Sequence, residues 1–290
     1  MRFYGSLRVG RMVRFSLPYG LCPLLNSIIL IIVCYCLRNE VAISAWAHNS
    51  ELHALFSAGR FGNKIFQQMA VSLLAEKYDL RASYLRVEEF AELGVPLYNG
   101  KKLMKGDDVE LTDDLLFKLL TANGSGELTG RLRVNGFYQS PWFSQYLRAV
   151  FRGKYFTSLH RANPWRERVG ANNDTFVHVR LGDMADIRTR LASDFIKAIG
   201  SPAGRVYIAS DSLDHDIIRE LVTYLNATLL DNWSIVRTIQ FGSTCAYIVL
   251  SDGSFSWTIG SMASNSSRVR IVPRDLNWSG NITQPDWQIF

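Results

Sequence analysis

Four short segments of the chain carry side chains whose types and spacing suit a phosphorylated substrate. The most compact is His178-Val179-Arg180-Leu181-Gly182-Asp183, which follows a strand-like run. Alternation along a strand puts His178 and Arg180 on one face and Val179 on the other. An arginine at a strand end can fork onto a diphosphate and neutralise charge developing on a leaving group without a metal. Asp183 can fix the arginine or the loop. The plainer alternative is a structural Arg180–Asp183 pair beside a buried histidine. Gly59-Arg60-Phe61-Gly62-Asn63 opens a helical stretch. Its glycines let backbone approach a ligand closely, the helix start favours anions, and Arg60 and Asn63 can reach toward one. Ile208-Ala209-Ser210-Asp211-Ser212 ends a strand in small polar residues that can cap the next helix, with Asp211 placed to hold a nucleoside. Leu250-Ser251-Asp252-Gly253-Ser254-Phe255-Ser256-Trp257 again runs from strand into helix. Its hydroxyls and successive backbone N–H groups at Ser254 to Ser256 suit phosphate oxygens, and Phe255 can pack against the bound group. The sequence shows no nucleophile elbow, zinc-type histidine pair or Walker-type loop, and no clear Asp-x-Asp metal motif. Asp107-Asp108 and Asp113-Asp114 read as surface acids. Deprotonating a hydroxyl calls for a placed carboxylate or histidine, and Asp183 and His178 are the candidates.

These segments need elements that bring them together. Apolar spacing predicts strands at Leu52–Ser57, Arg81–Leu85, Arg131–Phe137, Thr175–Arg180, Arg205–Ala209, Ala227–Leu230, Ala246–Leu250 and Val269–Val272. Helical spacing fits 64–78, 142–150, 191–199, 213–225, 235–244 and 256–264. Residues 86–130 are polar and carry little pattern. Strands separated by helix-length segments imply βαβ units and a parallel sheet. Ligands on such sheets bind outside the strands' carboxyl ends, and the polar segments fall directly after predicted strands.

The chain has 290 residues and a net charge of +6. Arg2, Arg8, Arg11 and Arg14 precede an apolar run from Leu21 to Leu37 that ends at Arg38. That run is near the lower limit of roughly 17 residues for a bilayer span, and the arginine bias predicts that the N-terminal side stays in the cytosol. The rival is a cleaved signal peptide, for which Ala45-Trp46-Ala47 has the right form but lies far from the apolar run. No basic stripe with interleaved aromatics appears, which excludes a nucleic-acid partner from the expectations. Of four cysteines, only Cys245 lies in the body, where it reads as a small buried residue. Asn-x-Ser/Thr occurs at Asn123, Asn173, Asn226, Asn232, Asn265, Asn277 and Asn281, which fits exposure in the secretory pathway.

Taken in order, the four motifs resemble the α-1,2-fucosyltransferase family. The family's Gly-x-Phe/Leu-Gly-Asn loop is matched by Gly59 to Asn63, and its His-x-Arg-x-Gly-Asp hallmark by His178, Arg180, Gly182 and Asp183. Its Ser-x-x-Thr/Ser-Phe-Ser-Trp segment is matched by Ser251, Ser254, Phe255, Ser256 and Trp257. Asn135-Gly136-Phe137-Tyr138-Gln139-Ser140 and Pro285-Asp286-Trp287 resemble two further family stretches. The resemblance implies an α/β, GT-B-type glycosyltransferase with two Rossmann-like halves, preceded by an N-terminal transmembrane helix. Its expected parts are a cytosolic tail at 1–15, a signal-anchor at 16–38, a stem at 39–52, an acceptor-side half at 53–160 and a donor-binding half at 161–290. It implies GDP-fucose as donor, a glycan ending in galactose as acceptor, inversion into an α-1,2 linkage, no metal, and a single-pass type II protein of the Golgi membrane with a luminal catalytic domain. It assigns Arg180, His178, Asp183 and Asn63 to catalysis. It assigns Gly59, Arg60, Phe61, Gly62, Gly182, Asp211, Ser254, Phe255 and Ser256 to the donor. Three positions depart from the pattern: Leu181 stands where a second arginine is frequent, Asp252 where asparagine is, and Thr258 where a second tryptophan is. They bear on acceptor choice more than on donor binding. Two other readings stay open, a protein O-fucosyltransferase and a non-catalytic sugar-nucleotide or glycan-binding membrane protein.

Overall fold

The structure, a computed structural model, describes residues 51–53, 59–124, 128, 130–182, 191–273 and 282–290. The expected tail, the anchor at 16–38 and nearly all of the stem lie outside the described residues, as does Asp183. Among the described residues no helix is long and apolar enough to cross a membrane.

The first half runs Leu52–His53 (β1), Phe61–Tyr78 (α1), Ala82–Ser83 (β2), Val87–Leu93 (α2), Asp108–Leu111 (β3), Asp113–Thr121 (α3), Arg131–Val134 (β4), Pro141–Arg152 (α4) and Phe156–Ala162 (α5). β1 pairs with β2 and β3 with β4, both in parallel. α1 is buried on nearly every side, as expected of a helix that is apolar around most of its circumference. Its buried polar side chains are spent on neighbouring loops: Gln67 Nε2 donates to the Gly136 carbonyl at 3.2 Å, and Gln68 and Ser72 accept from the Leu85 and Tyr98 N–H groups. α1 starts at Phe61 rather than Lys64, so Gly62 and Asn63 belong to its first turn. α3 has a cause that the acids of its first turn disguised. The Thr112 hydroxyl caps it, accepting from the Leu115 N–H at 3.2 Å. Asp113 and Asp114 then complement the positive end of the helix.

The second half runs Thr175–Val179 (β5), Ala192–Ile199 (α6), Val206–Ser210 (β6), Asp216–Leu225 (α7), Thr228–Leu229 (β7), Ile235–Gly242 (α8), Tyr247–Ser251 (β8), Ser254–Met262 (α9), Arg268–Val272 (β9) and Gln288–Ile289 (β10). All strands pair in parallel, in the order β10-β9-β8-β5-β6-β7. Counted from β5 this is the 3-2-1-4-5-6 arrangement of a doubly wound sheet. Alternation sorts the side chains. Val177, Val179 and Leu181 pack with Phe195 of α6 and Ile218 and Leu221 of α7 on one face. Phe176, Ile248 and Leu250 join Ile239 of α8 and Trp257 of α9 on the other. The architecture is therefore α/β with a parallel sheet, compatible with a Rossmann-like fold. Cys245 is buried and unpaired by any disulfide, and burial pushes its thiol up to about 11.

Aromatic packing joins the halves. Phe66 of α1 lies 4.4 Å from Trp257 of α9, centroid to centroid. The segment after β9 adds a second connection. Asp286 forms a bidentate pair with Arg148 of α4, one arm at 2.6 Å. Arg148 also lies 5.6 Å over the Trp287 ring, which packs against Gly260 of α9.

Candidate active site

Strand order reverses between β5 and β8, and that reversal opens a crevice at the carboxyl ends of the two strands. Two of the sequence motifs end there. Ser251, the last residue of β8, stitches the strands together. Its hydroxyl donates to the His178 carbonyl at 3.0 Å and accepts the Arg180 N–H at 2.8 Å. Arg180 thus leaves the sheet with its backbone pinned. Its guanidinium crosses Gly253, where an added Cβ would lie 3.1 Å from Nη1. Gly253 has φ 135, in the region that a side chain disfavours. Glycine here meets both demands, the turn and the passing guanidinium.

Two helix starts meet at the same place. A Cβ on Gly62, in the first turn of α1, would lie 2.6 Å from the Ser254 carbonyl carbon and closer still to the Phe255 nitrogen. The first turns of α1 and α9 are in backbone contact. Neither contains an acidic residue, and no side chain caps either one. Each helix start carries roughly half a positive charge. Setting two side by side is unfavourable until an anion joins them. Asn63 fastens the junction: its Oδ1 accepts from Ser254 Oγ at 2.6 Å and from Gln139 Nε2 at 2.8 Å. With the oxygen doubly used, its amide N–H groups remain the donors for a ligand.

Asp211 follows β6, the strand next to β5. In doubly wound sheets an acid near this place binds ribose hydroxyls. Here its Oδ1 accepts the Leu181 N–H and its Oδ2 accepts from Arg60 Nη1, each at 2.8 Å. Gly182 lies against it, a Cβ there being 2.5 Å from Oδ2. Burial pushes the Asp211 carboxyl up, but the Leu181 N–H, the Arg60 guanidinium and the charge of His178 outweigh it, and the pKa falls below the ordinary value. A depressed carboxylate contributes stability above its unfolded pKa and loses it as pH falls through the folded one. Asp211→Asn is therefore expected to cost about 1–2 kcal/mol at neutral pH. Denaturant unfolding across pH should show the gap between variant and wild type closing below about pH 3.9.

His178 is only 6% exposed. Its Nδ1 shares a hydrogen bond of 2.7 Å with Ser256 Oγ, and its ring packs 5.1 Å from Phe255. It fastens β5 to the first turn of α9. Gly59 sits just before α1 with φ 87. The structure brings Arg60, Gly62, Asn63, His178, Arg180, Gly182, Asp211, Ser254, Phe255 and Ser256 around one crevice. It does not bring Phe61, which is 3% exposed and turned into the core against Phe90. Ser251 and Gln139 do more than the spacing foretold. Ser251 had only a motif match as its signal, and Gln139 only its place in the 135–140 stretch. Compared with known proteins, the chain matches no family model, and no curated protein shows significant similarity to it.

Proposed function

We propose that the chain is a glycosyltransferase that moves L-fucose from GDP-fucose to the galactose end of a glycan, in α-1,2 linkage and with inversion. The observation that carries this reading is the meeting of four motifs, from Gly59 to Ser256, at the reversal point of one parallel sheet. That crevice has what a sugar diphosphate needs: an arginine at the end of β5, two uncapped helix starts, and an acid after β6. In this reading Arg180 forks onto the diphosphate, the N–H groups of Ser254 to Ser256 take phosphate oxygens, and Asp211 holds the ribose. Leu181 replaces an arginine frequent in the family, and its side chain is buried. Arg60 shares Asp211 with the Leu181 N–H and offers a second guanidinium from across the crevice.

In the reaction, an acceptor hydroxyl oxygen bonds to C1 of fucose from the face opposite the leaving group. The C1–O bond to the β-phosphate breaks, and its electron pair leaves on GDP. The hydroxyl proton passes to a base, for which His178 and Asp183 are the candidates; the burial of His178 and its bond to Ser256 favour Asp183. Residues 16–38 anchor the chain in the Golgi membrane with the body luminal, and the second half is the donor-binding half of a GT-B fold. Exposed asparagines of Asn-x-Ser/Thr sites at Asn226, Asn232 and Asn265 support the luminal placement.

The test is transfer by the full chain from GDP-fucose to methyl β-galactoside in the presence of excess chelator. Folded cysteine-rich domains serve as rival acceptors. Transfer to the galactoside with chelator present is the expected result. Modification of the protein modules alone would mark a protein O-fucosyltransferase. GDP binding without turnover on any acceptor would mark a binding protein.

A further inference from the structure

The asparagines of the body are of two kinds. Asn63, Asn99, Asn135, Asn163 and Asn172 all have side chains hydrogen-bonded within the chain. None of these starts an Asn-x-Ser/Thr triplet. Asn123, Asn173, Asn226, Asn232 and Asn265 all start one, and all are exposed. Among the described residues no hydrogen bond engages their amides. The asparagines with work inside the fold are thus separate from those open to modification. Two of the second kind bracket one strand. Asn226 ends α7, Asn232 lies just before α8, and β7 runs between them. β7 closes the sheet on that side: it pairs with β6, and no strand lies beyond it among the described residues. Thr228 is exposed and Leu229 half-buried. An open edge offers unpaired N–H and C=O groups to another chain. Asn226 has φ 46 and Asn232 φ 58. Left-handed backbone accounts for an asparagine at each place. It does not account for the exposed Thr228 and Ser234, each two places on.

We propose that Asn226 and Asn232 each carry an N-linked glycan, and that the pair covers the open edge of the sheet at β7. This rests on the luminal placement given above. The sugar comes from a lipid-linked oligosaccharide diphosphate, delivered to the Asn-x-Ser/Thr triplet by a transferring enzyme. The asparagine Nδ2 bonds to C1 of the first sugar. The C1–O bond to the diphosphate breaks, and its electron pair leaves on the lipid diphosphate. The amide gives one proton to a base of the transferring enzyme. A glycan is bulky and solubilising. β7 has two residues, and a strand rises about 3.3 Å per residue. One glycan at each end of so short a strand leaves no length of edge on which a second chain can pair.

The experiment expresses the full chain in secretory cells and compares it with Asn226→Gly, Asn232→Gly, their double variant and Thr228→Val. Glycine keeps the left-handed backbone and adds no charge. Ser234 is left in place because its hydroxyl caps α8. The measurements are glycopeptide mass, protease protection in sealed vesicles, melting, and self-association in detergent by sedimentation. The wild type should carry glycan on both peptides. Each glycine variant should lose its own glycan only, and Thr228→Val should lose that of Asn226 while keeping the asparagine. The folded double variant should self-associate at a concentration about tenfold lower than the wild type. Unmodified 226 and 232 peptides in a chain whose body is protected inside vesicles would overturn the proposal and leave the luminal placement standing. Digestion of the body by protease added outside the vesicles would overturn that placement, and the proposal with it. Glycan on both asparagines, with self-association unchanged in the folded double variant, would overturn the covering of the edge.

Discussion

Arg180→Ala is expected to lower kcat/KM for fucose transfer by about a thousandfold, on the scale seen when one group stabilising developing charge is removed. The diphosphate gains charge as its bond to C1 breaks, and the guanidinium sits where β5 delivers it to the crevice. The backbone of Arg180 is held by Ser251 through its N–H, which the substitution keeps. Folding should therefore be little affected, and the melting midpoint should move by only a few degrees, on the order of the shift that ~1 kcal/mol produces. Arg180→Lys separates charge from geometry, because lysine is a point charge without the planar fork. It should recover part of the loss and no more. Steady-state kinetics beside a melting curve checks both claims. Full activity in the alanine variant would remove Arg180 from the site.

Gly62→Ala is expected to damage both stability and transfer. Alanine is the better helix former by roughly 1 kcal/mol in an exposed helix, so propensity alone predicts a gain. The contact decides otherwise. The new methyl group would meet the Ser254 carbonyl carbon and the Phe255 nitrogen, both of them backbone. A side chain can turn aside, but a helix start cannot without moving the whole turn. Overpacking of this kind costs about 1–3 kcal/mol. Separating the first turns of α1 and α9 by even ~1 Å also misaligns a donor held between them, which can cost roughly a hundredfold in rate. Denaturant unfolding and kcat/KM measured together should show both losses. A stabilised, active variant would mean that the two helix starts are not held in contact.

The second half was largely legible because its strands are short apolar runs separated by helix-length segments. Strands β5 to β9 each lie within about one residue of their predicted ends, the usual blur of boundaries, while the short edge strand β10 was not predicted. Strand order was not legible. Nothing local to β5 or β8 says that they are neighbours, and that adjacency makes Arg180 and Ser251 partners across a long stretch of chain. The first half was legible only at α1 and α4 and, in part, at β1, β2 and β4. β3 exposes three of its four residues, so it has no apolar alternation to read. The acids opening α3 looked like ordinary surface charge because their work is electrostatic, at a helix end. The start of α1 was misplaced for a related reason: glycine is a poor helix residue, and only the approach of α9 explains why one stands in that first turn. Of the site residues, Arg180, Asn63 and Asp211 were visible as polar residues beside predicted turns. Phe61 misled because a core aromatic and a ligand-facing one look alike in sequence.

The clasp of Asp286 and Trp287 on Arg148 and Gly260 has a bearing on motion. Many two-lobed proteins open and shut about a hinge, and only the shut form binds well. Their observed affinity is then reduced by the fraction of time spent open. Here α4, in the first half, and α9, in the second, are gripped by the same short segment, whose Trp287 lines one cavity with Ser251 and Gly253. Swinging the halves apart would tear a buried arginine from its carboxylate and a tryptophan from its seat. The crevice is thus set at a fixed width before any ligand arrives, and arrival and departure fall to local movements at its rim rather than to travel of whole lobes.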